Sequence, residues 1–301
     1  MPDVTLAHRA EAAAVRAALA LFKALPPAAA SDLAGAVART IGPWLKPSRI
    51  ADHNLAAALP ALSLADRQRI VREVWDTMGR NAGEMVHLAD LHETPSGPGF
   101  VVTGWDEHWA DAVKQPGPSI IMTAHYGNWE VIPRILRARG VNHGFLYRAA
   151  GNPLVDDIIQ NIRRRNFGAD VPMFPKGGAG ARGGYAHMAK GGQLGMLVDQ
   201  KLDNGLEIPF FGRPAMTAPA MATFALKFRC PVLPMRVLRR GPARLEVICE
   251  PPLPLPDSGQ RDADIASLTL TMNQRLEHWI TEQPGAWLWL HRRWPKDSYR
   301  K

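Results

Sequence analysis

The chain has 301 residues, 46% of them hydrophobic and 21% charged, the proportions of an ordinary globular protein, which exclude global disorder. Its formal net charge of +8 suits nucleic acid, an anionic membrane surface or acidic substrates. The densest basic groups, Arg163–Arg165, Arg239–Arg240 and Arg292–Arg293, come with no zinc-finger spacing and no RNP-type motif, so no nucleic-acid partner is expected.

The N-terminal third reads as helical. From Arg9 to Leu25, Val15, Ala18, Leu19, Phe22 and Leu25 fall on one face, with Arg9, Arg16 and Lys23 roughly opposite. A basic amphipathic helix of this kind either lies in a bilayer interface or packs on its own domain, and the segment alone leaves both open. Pro26-Pro27 ends it. A second apolar run covers Ala34 to Leu45. From Arg69 to Leu91, Val71, Val74, Trp75, Met78, Ala82, Met85, Val86 and Ala89 recur at spacings of three and four, which predicts a long helix. No uncharged apolar run of about 18 residues supports a spanning helix, and no convincing secretory signal opens the chain.

Thr94-Pro-Ser-Gly-Pro-Gly99 breaks the pattern. It divides an N-terminal helical arm, residues 1–95, from a catalytic domain, residues 96–301. Beyond it, candidate strands at Phe100–Thr103, Ser119–Thr123, Gly144–Tyr147, Leu194–Val198, Pro231–Leu238 and Leu245–Cys249 alternate with helical patterns. The helices are expected at Asn128–Arg139, Pro153–Asn166, Ala179–Lys190 and Ala218–Phe228, with a last one over Asp262–Thr281. This alternation predicts an α/β fold: a mostly parallel central sheet flanked by helices. Cys230 and Cys249 make no C-x-x-C pair and no disulfide framework. They read as small apolar residues in or near strands.

The strand ending at Thr123 runs into Ala124-His125-Tyr-Gly-Asn128, and a helical pattern begins there. Gly127 permits a tight turn, and Asn128 is a good N-cap. His125 is therefore expected at the carboxyl end of a strand, where open α/β sheets place ligand sites. Glu130, five positions on, is expected in the first helical turn, reaching back to His125 to fix its tautomer. Histidine so oriented is a natural general base for a hydroxyl. A single His-x4-Glu also arises by chance, and its weight comes from its surroundings.

Those surroundings resemble the bacterial lipid A biosynthesis (lauroyl/myristoyl) acyltransferases, within the larger glycerolipid acyltransferase group that shares a His-x4-Asp/Glu motif. The resemblance covers nearly the whole chain in motif order. It rests on Asn54-Leu55, His125 to Glu130, Tyr147-Arg148 with Asn152-Pro153-Leu154, Arg163, Gly195-Met-Leu-Val-Asp199-Gln200, Pro209-Phe-Phe-Gly-Arg-Pro-Ala-Met-Thr217, Cys230-Pro-Val-Leu-Pro234, and Trp287-Leu-Trp-Leu-His-Arg-Arg-Trp294. The Phe-Phe-Gly-Arg-Pro-Ala and tryptophan-rich strings are the most specific. Relatives often carry a clear hydrophobic N-terminal anchor; here that region is alanine-rich and interrupted by Lys23 and Pro26-Pro27.

The resemblance implies acyl transfer from an acyl carrier protein thioester to a hydroxyl of a lipid A precursor, with His125 as base and Glu130 orienting it. Arg163 and the backbone N–H groups of Gly127 and Asn128 are candidate oxyanion donors. Arg148, Asn152, Arg163, Asp199 and Gln200 are expected at the substrate, the arginines on phosphate or in ion pairs with Asp156, Asp157 or Asp199. Asp199 either contacts substrate, holds an arginine or caps a loop. Acyl carrier protein, an anionic lipid acceptor and an anionic membrane surface all suit the positive charge. The implied location is the cytoplasmic face of the inner membrane, reached by a peripheral or shallowly inserted arm.

No cofactor and no metal are expected; there is no H-E-x-x-H and no G-x-S-x-G. Gly178-Ala-Gly-Ala-Arg-Gly183 spells G-x-G-x-x-G, but it lies mid-chain rather than in a first strand–helix unit, and is expected to be a mobile glycine-rich loop. Trp287, Trp289 and Trp294 either form an interfacial belt or pack a C-terminal strand on the core. The alternatives are acylation of another glycolipid, such as a phosphatidylinositol mannoside, and a non-catalytic lipid-binding protein.

Overall fold

The structure is a computed structural model, and it describes residues 4–299. Four helices come first: α1 (Leu6–Ala24), α2 (Pro27–Ile41), α3 (Pro47–Ala58) and α4 (Leu64–Met85). Local chemistry sets their ends. Thr5 and His8 form a reciprocal capping box on α1; Pro27 and Pro47 occupy first-turn positions where a missing N–H costs nothing; Ser63 accepts from the Asp66 N–H to start α4. α2 lies very close on α4. A Cβ on Gly79 would come within 2.3 Å of the Ala34 carbonyl oxygen, and one on Gly83 within 2.4 Å of that of Ala30. The small-residue face of α2 is thus committed to α4.

The remaining elements are β1 (Gly99–Thr103), a π-turn over Trp105–Trp109, α5 (Ala110–Lys114), β2 (Ile120–Thr123), a 3₁₀ turn over Trp129–Val131, α6 (Ile132–Ala138), β3 (His143–Tyr147), α7 (Pro153–Phe167), β4 (Met173–Pro175), α8 (Gly178–Ala189), β5 (Gln193–Leu197), β6 (Lys201–Phe210), β7 (Arg213–Thr217), α9 (Ala220–Phe228), β8 (Val232–Gly241), β9 (Arg244–Cys249) and α10 (Arg261–Glu282). Seven strands form one sheet in the order β1-β9-β8-β2-β5-β3-β4. β8, β2, β5, β3 and β4 run parallel. β9 reverses against β8, and β1 follows β9. The expected mostly parallel sheet is present, and the six expected strands are β1, β2, β3, β5, β8 and β9. An apolar layer covers each face, one built around α3, α4, α8, α9, α10 and the C-terminal tryptophans, the other around α5, α6 and the π-turn.

One expectation is corrected and one pair of alternatives is decided. Gly178–Gly183 is not a loop: it opens α8, and its glycines give close packing, since a Cβ on Gly180 would overlap the Pro175 carbonyl at 1.6 Å and one on Gly183 would meet the Phe174 ring at 2.6 Å. The Pro209–Thr217 string is the hairpin β6–β7, turned by Phe211 (φ 50°) and Gly212 (φ 66°). Positive φ at both positions matches the twist of the strands. Of the two alternatives for Trp287, Trp289 and Trp294, packing on the core is the one found: all three are buried, though in an irregular C-terminal segment rather than a strand. Both cysteines are buried and free, and burial pushes their thiols up to about 12.

One buried carboxylate ties the N-terminal helices to the sheet. Glu84 of α4 is 0% exposed. It accepts from Ser31 Oγ on α2 (2.7 Å), the Ala243 N–H (3.1 Å), Asn128 Nδ2 (2.7 Å) and the guanidinium of Arg239 on β8. Glu84→Ala takes the carboxylate partner from the half-buried Arg239 guanidinium and leaves the Ser31, Asn128 and Ala243 donors without that acceptor, so the variant should lose about 3 kcal/mol of stability, measured as a lower urea midpoint at unchanged m-value.

Candidate functional site

β2 and β5 are adjacent and parallel, with Thr123 opposite Leu197. That register, carried two residues further, sets His125 opposite Asp199, and the Val198 N–H bonding to the Thr123 carbonyl (3.0 Å) keeps the strands together at this point. His125 Nδ1 lies 2.9 Å from Asp199 Oδ1, and the His125 backbone N–H donates to Oδ2 at 3.1 Å. Trp287 Nε1 donates to Oδ2 at 2.8 Å. Asp199 is 0% exposed. A carboxylate facing Nδ1 fixes the proton there and leaves the lone pair on Nε2. Gln200 Nε2 stands 3.5 Å from that nitrogen, a position suited to donating toward it.

The expected bond between Glu130 and His125 is not made. Glu130 sits in the 3₁₀ turn that follows the histidine, and its carboxylate faces α7, where it takes a two-pronged ion pair from Arg163, with Nε to Oε2 at 3.0 Å. Such forked pairing is what a guanidinium does best. Glu130 remains near enough to act on His125 by charge. The orienting carboxylate is Asp199, at the end of the neighbouring strand.

The other candidate residues divide. Gly127 has φ +57° because the chain turns against β8, where a Cβ would come within 1.9 Å of the Val237 carbonyl oxygen. Its N–H donates to the Ala286 carbonyl (2.9 Å) and its carbonyl accepts from Asn81 Nδ2 (2.7 Å). Gly127 is thus already satisfied and cannot serve as an oxyanion donor. Asn128 makes no side-chain cap; its Nδ2 goes to Glu84, and no hydrogen bond from its backbone N–H is found among the described residues. Asn152 caps α7, accepting from the Leu154 N–H (3.0 Å), and its amide donates to His8 carbonyl and Glu11 Oε2 on α1 (both 2.9 Å). It is a bolt between two helices, committed on every side. Arg148 is exposed.

The C-terminal segment closes the back of the site, a contribution that the sequence reading missed. The Leu288 N–H donates to the His125 carbonyl at 3.0 Å, and Trp287 holds Asp199. His291 packs edge-on against Trp287, ring centroids 5.5 Å apart. Burial pulls its pKa down to about 4, despite the nearby Asp199 charge, and so keeps it neutral. The tryptophan-rich string was visible in the sequence; its return to the β2–β5 edge was not.

Beside His125 lies an apolar cavity between the sheet and helices α6 and α7. Its wall includes Trp129, Phe145, Leu146, Phe167, Met173 and Leu197, with the Glu130–Arg163 pair on its rim. The Trp129 ring is 5.0 Å from that of His125. Free volume is only about 50 Å³, room for one or two waters, so a longer guest enters by displacing side chains.

Burial alone lowers the His125 pKa, but the Asp199 charge and hydrogen bond, helped by Glu130, outweigh it and raise the pKa above the ordinary value. Asp199 resists burial in the same way and is held well below the usual carboxylate range by His125. Arg163, which burial would lower, is held charged by Glu130.

An open, mostly parallel α/β sheet carrying a buried carboxylate–histidine couple at its carboxyl edge, beside an apolar cavity, defines a class of α/β protein with its candidate ligand site at the carboxyl ends of the strands. A family model described as bacterial lipid A biosynthesis acyltransferase matches residues 3–296. The chain belongs to that family, and it is an acyltransferase. No curated protein matches it. No helix among the described residues is long and apolar enough to cross a membrane.

The couple sets a pH window. With the His125 pKa raised in the folded state, its stabilisation is complete below the unfolded value of about 6.5 and is lost as pH rises through the folded pKa. With the Asp199 pKa depressed, its share is present above about 3.9 and is lost as pH falls through the folded value. Asp199→Asn removes the carboxylate and leaves burial opposed only by the Glu130 charge, so the imidazole resonances of His125, followed by NMR, should titrate at lower pH than in the parent.

Proposed function

We propose that this acyltransferase moves a fatty acyl chain from an acyl carrier protein thioester to a hydroxyl of a lipid A precursor, with His125 as the general base. The observation that carries the reading is the His125–Asp199 couple beside an apolar cavity. Nε2 takes the proton of the acceptor hydroxyl, whose oxygen attacks the thioester carbonyl. The tetrahedral oxyanion collapses, the C–S bond breaks, and the imidazolium returns the proton to the departing thiolate. Asp199 holds the tautomer and stabilises the imidazolium.

Arg163 has Nε and Nη2 on Glu130, which leaves Nη1 for the oxyanion or for a substrate phosphate. The Asn128 N–H is the second candidate donor. Glu130 then acts through Arg163, fixing the guanidinium at the cavity rim. The apolar cavity takes the acyl chain, with Phe145 and Phe167 displaced as it enters. A basic surface favours an acidic carrier protein and a phosphorylated acceptor. The cytoplasmic face of the inner membrane, with peripheral attachment, follows from these substrates.

His125→Ala should lower kcat/KM by about 10³-fold, within the span of general-base contributions, and mass spectrometry of lipid A from cells carrying only this variant should show the acceptor one acyl chain short. Full transfer by the variant would refute the base role. Because His125 must be neutral to accept a proton, activity should rise with pH through its raised pKa. In Asp199→Asn the residual activity should show that limb at lower pH.

A further inference from the structure

Two faces of the N-terminal helices have different fates. The apolar face of α1 is turned inward: Ala12 is buried and Val15, Leu19 and Phe22 are half-buried, with Asn152 and the Lys23–Asp90 ion pair (2.6 Å) anchoring the helix at either end. That face is not available to a bilayer. α2 is the reverse. Its small-residue face is used up on α4, and its other face carries Leu33, Val37 and Ile41, four residues apart and therefore in one row. Beyond the 3₁₀ turn Gly42–Trp44 the row continues into Trp44 and Leu45. All five are exposed, Ile41 at 55% and Trp44 at 88%. Nothing in the described chain covers them.

The row runs into a basic groove. Trp44 and Leu64 stand on the wall of an open groove between α3, α4 and the C-terminal segment, together with Arg49, Arg72 and Arg292. These arginines are exposed and none has a carboxylate in salt-bridge range among the described residues; Arg292 only rests over the Tyr299 ring at 5.7 Å. The acid on the wall, Asp52, is already paired with Arg67 at 2.8 Å. An apolar row ending in a tryptophan, flanked by unpaired guanidinium groups, is complementary to a surface that is apolar inside and anionic at its boundary.

We propose that the outer face of α2, from Leu33 to Leu45, with the Arg49–Arg72–Arg292 groove beside it, is the surface by which this protein docks on an anionic lipid bilayer. The row enters the headgroup boundary, Trp44 sits at headgroup level and the groove takes lipid phosphate. The proposal rests on the peripheral-attachment reading above, and transfers the contact from α1, where the amphipathic pattern is more obvious in the sequence, to α2.

The test is cosedimentation of the full chain with two sets of vesicles: phosphatidylcholine alone, and phosphatidylcholine with phosphatidylglycerol. The parent should bind the anionic vesicles more tightly, and salt should weaken that preference. Arg49→Ala with Arg72→Ala should cut partitioning to anionic vesicles by about 25-fold, roughly five-fold for each arginine, with little change on neutral ones. Ile41→Ser with Trp44→Ser should weaken binding to both. These side chains are exposed, so circular dichroism and urea midpoints should stay at parental values. Acyl transfer to acceptor dispersed in detergent should also be unchanged. Parental binding by both double variants overturns the proposal and leaves the chemistry of His125 untouched. Loss of detergent activity in His125→Ala, with vesicle binding intact, keeps the two readings separate. Binding that is equal on both vesicle types refutes the anionic part, because the groove would then have no phosphate to meet.

Discussion

The ionised Asp199, wholly buried at the end of β5, is the constraint around which the site is built. An isolated buried carboxylate costs several kcal/mol, and this one is relieved by three donors from two other parts of the chain. Two come from His125 at the end of β2, one from Trp287 near the C-terminus. To supply them, β2 and β5 must be neighbours in register, and the last segment must cross back over the sheet edge. The Leu288 and Gly127 backbone bonds, to the His125 and Ala286 carbonyls, are the stitches that hold that return. The orientation of the histidine is thus a property of the assembled sheet, not of the turn in which it stands.

Glu84 does for the N-terminal helices what Asp199 does for the C-terminal segment. It gathers a serine from α2, an arginine from β8 and, through Asn128, the turn that follows His125. One turn earlier on α4, Asn81 holds the Gly127 carbonyl and is itself held by Arg239 at 2.8 Å. The N-terminal helices therefore supply floor and bracing to the turn that follows His125. Asn54 of α3 extends the same logic, donating to the carbonyls of Trp289 and His291 at 2.8 Å each.

Much of the sheet was legible because its strands are short apolar runs bounded by turn residues, and because buried parallel strands announce themselves that way. β4, β6 and β7 escaped for physical reasons. Three residues make no period, and a hairpin carrying Pro209, Pro214 and an exposed Asp203 does not read as a core strand. The site was half legible. His125 stood out by its place between strand and helix. Its partner did not, because chain proximity favoured Glu130, while strand order, which the sequence does not state, put Asp199 beside it. Asn152 looked like a substrate ligand next to Tyr147-Arg148, whereas its position before Pro153 was the better clue: Asn followed by Pro at a helix start is a cap.

Net charge was the bluntest of the sequence signals, and the structure says where it resides. Many cations are spent internally: Arg80 on Asp32 and Asp76, Arg139 on Glu93, Arg163 on Glu130, Arg236 on Glu250 and Glu282. Arg293 is buried without a carboxylate partner among the described residues, bonded to Thr217 and Asn273 and stacked over Phe210, and burial pulls its pKa down to about 10. Such groups bind nothing outside the chain. Beyond the buried Arg293, the surplus of a chain whose net charge is +8 falls on exposed cations without acidic partners, and Arg49, Arg72 and Arg292 are three of these brought to one groove from α3, α4 and the C-terminal segment. Charge read from composition names a preference for anions; only the folded chain, by cancelling the internal pairs, shows which face can express it.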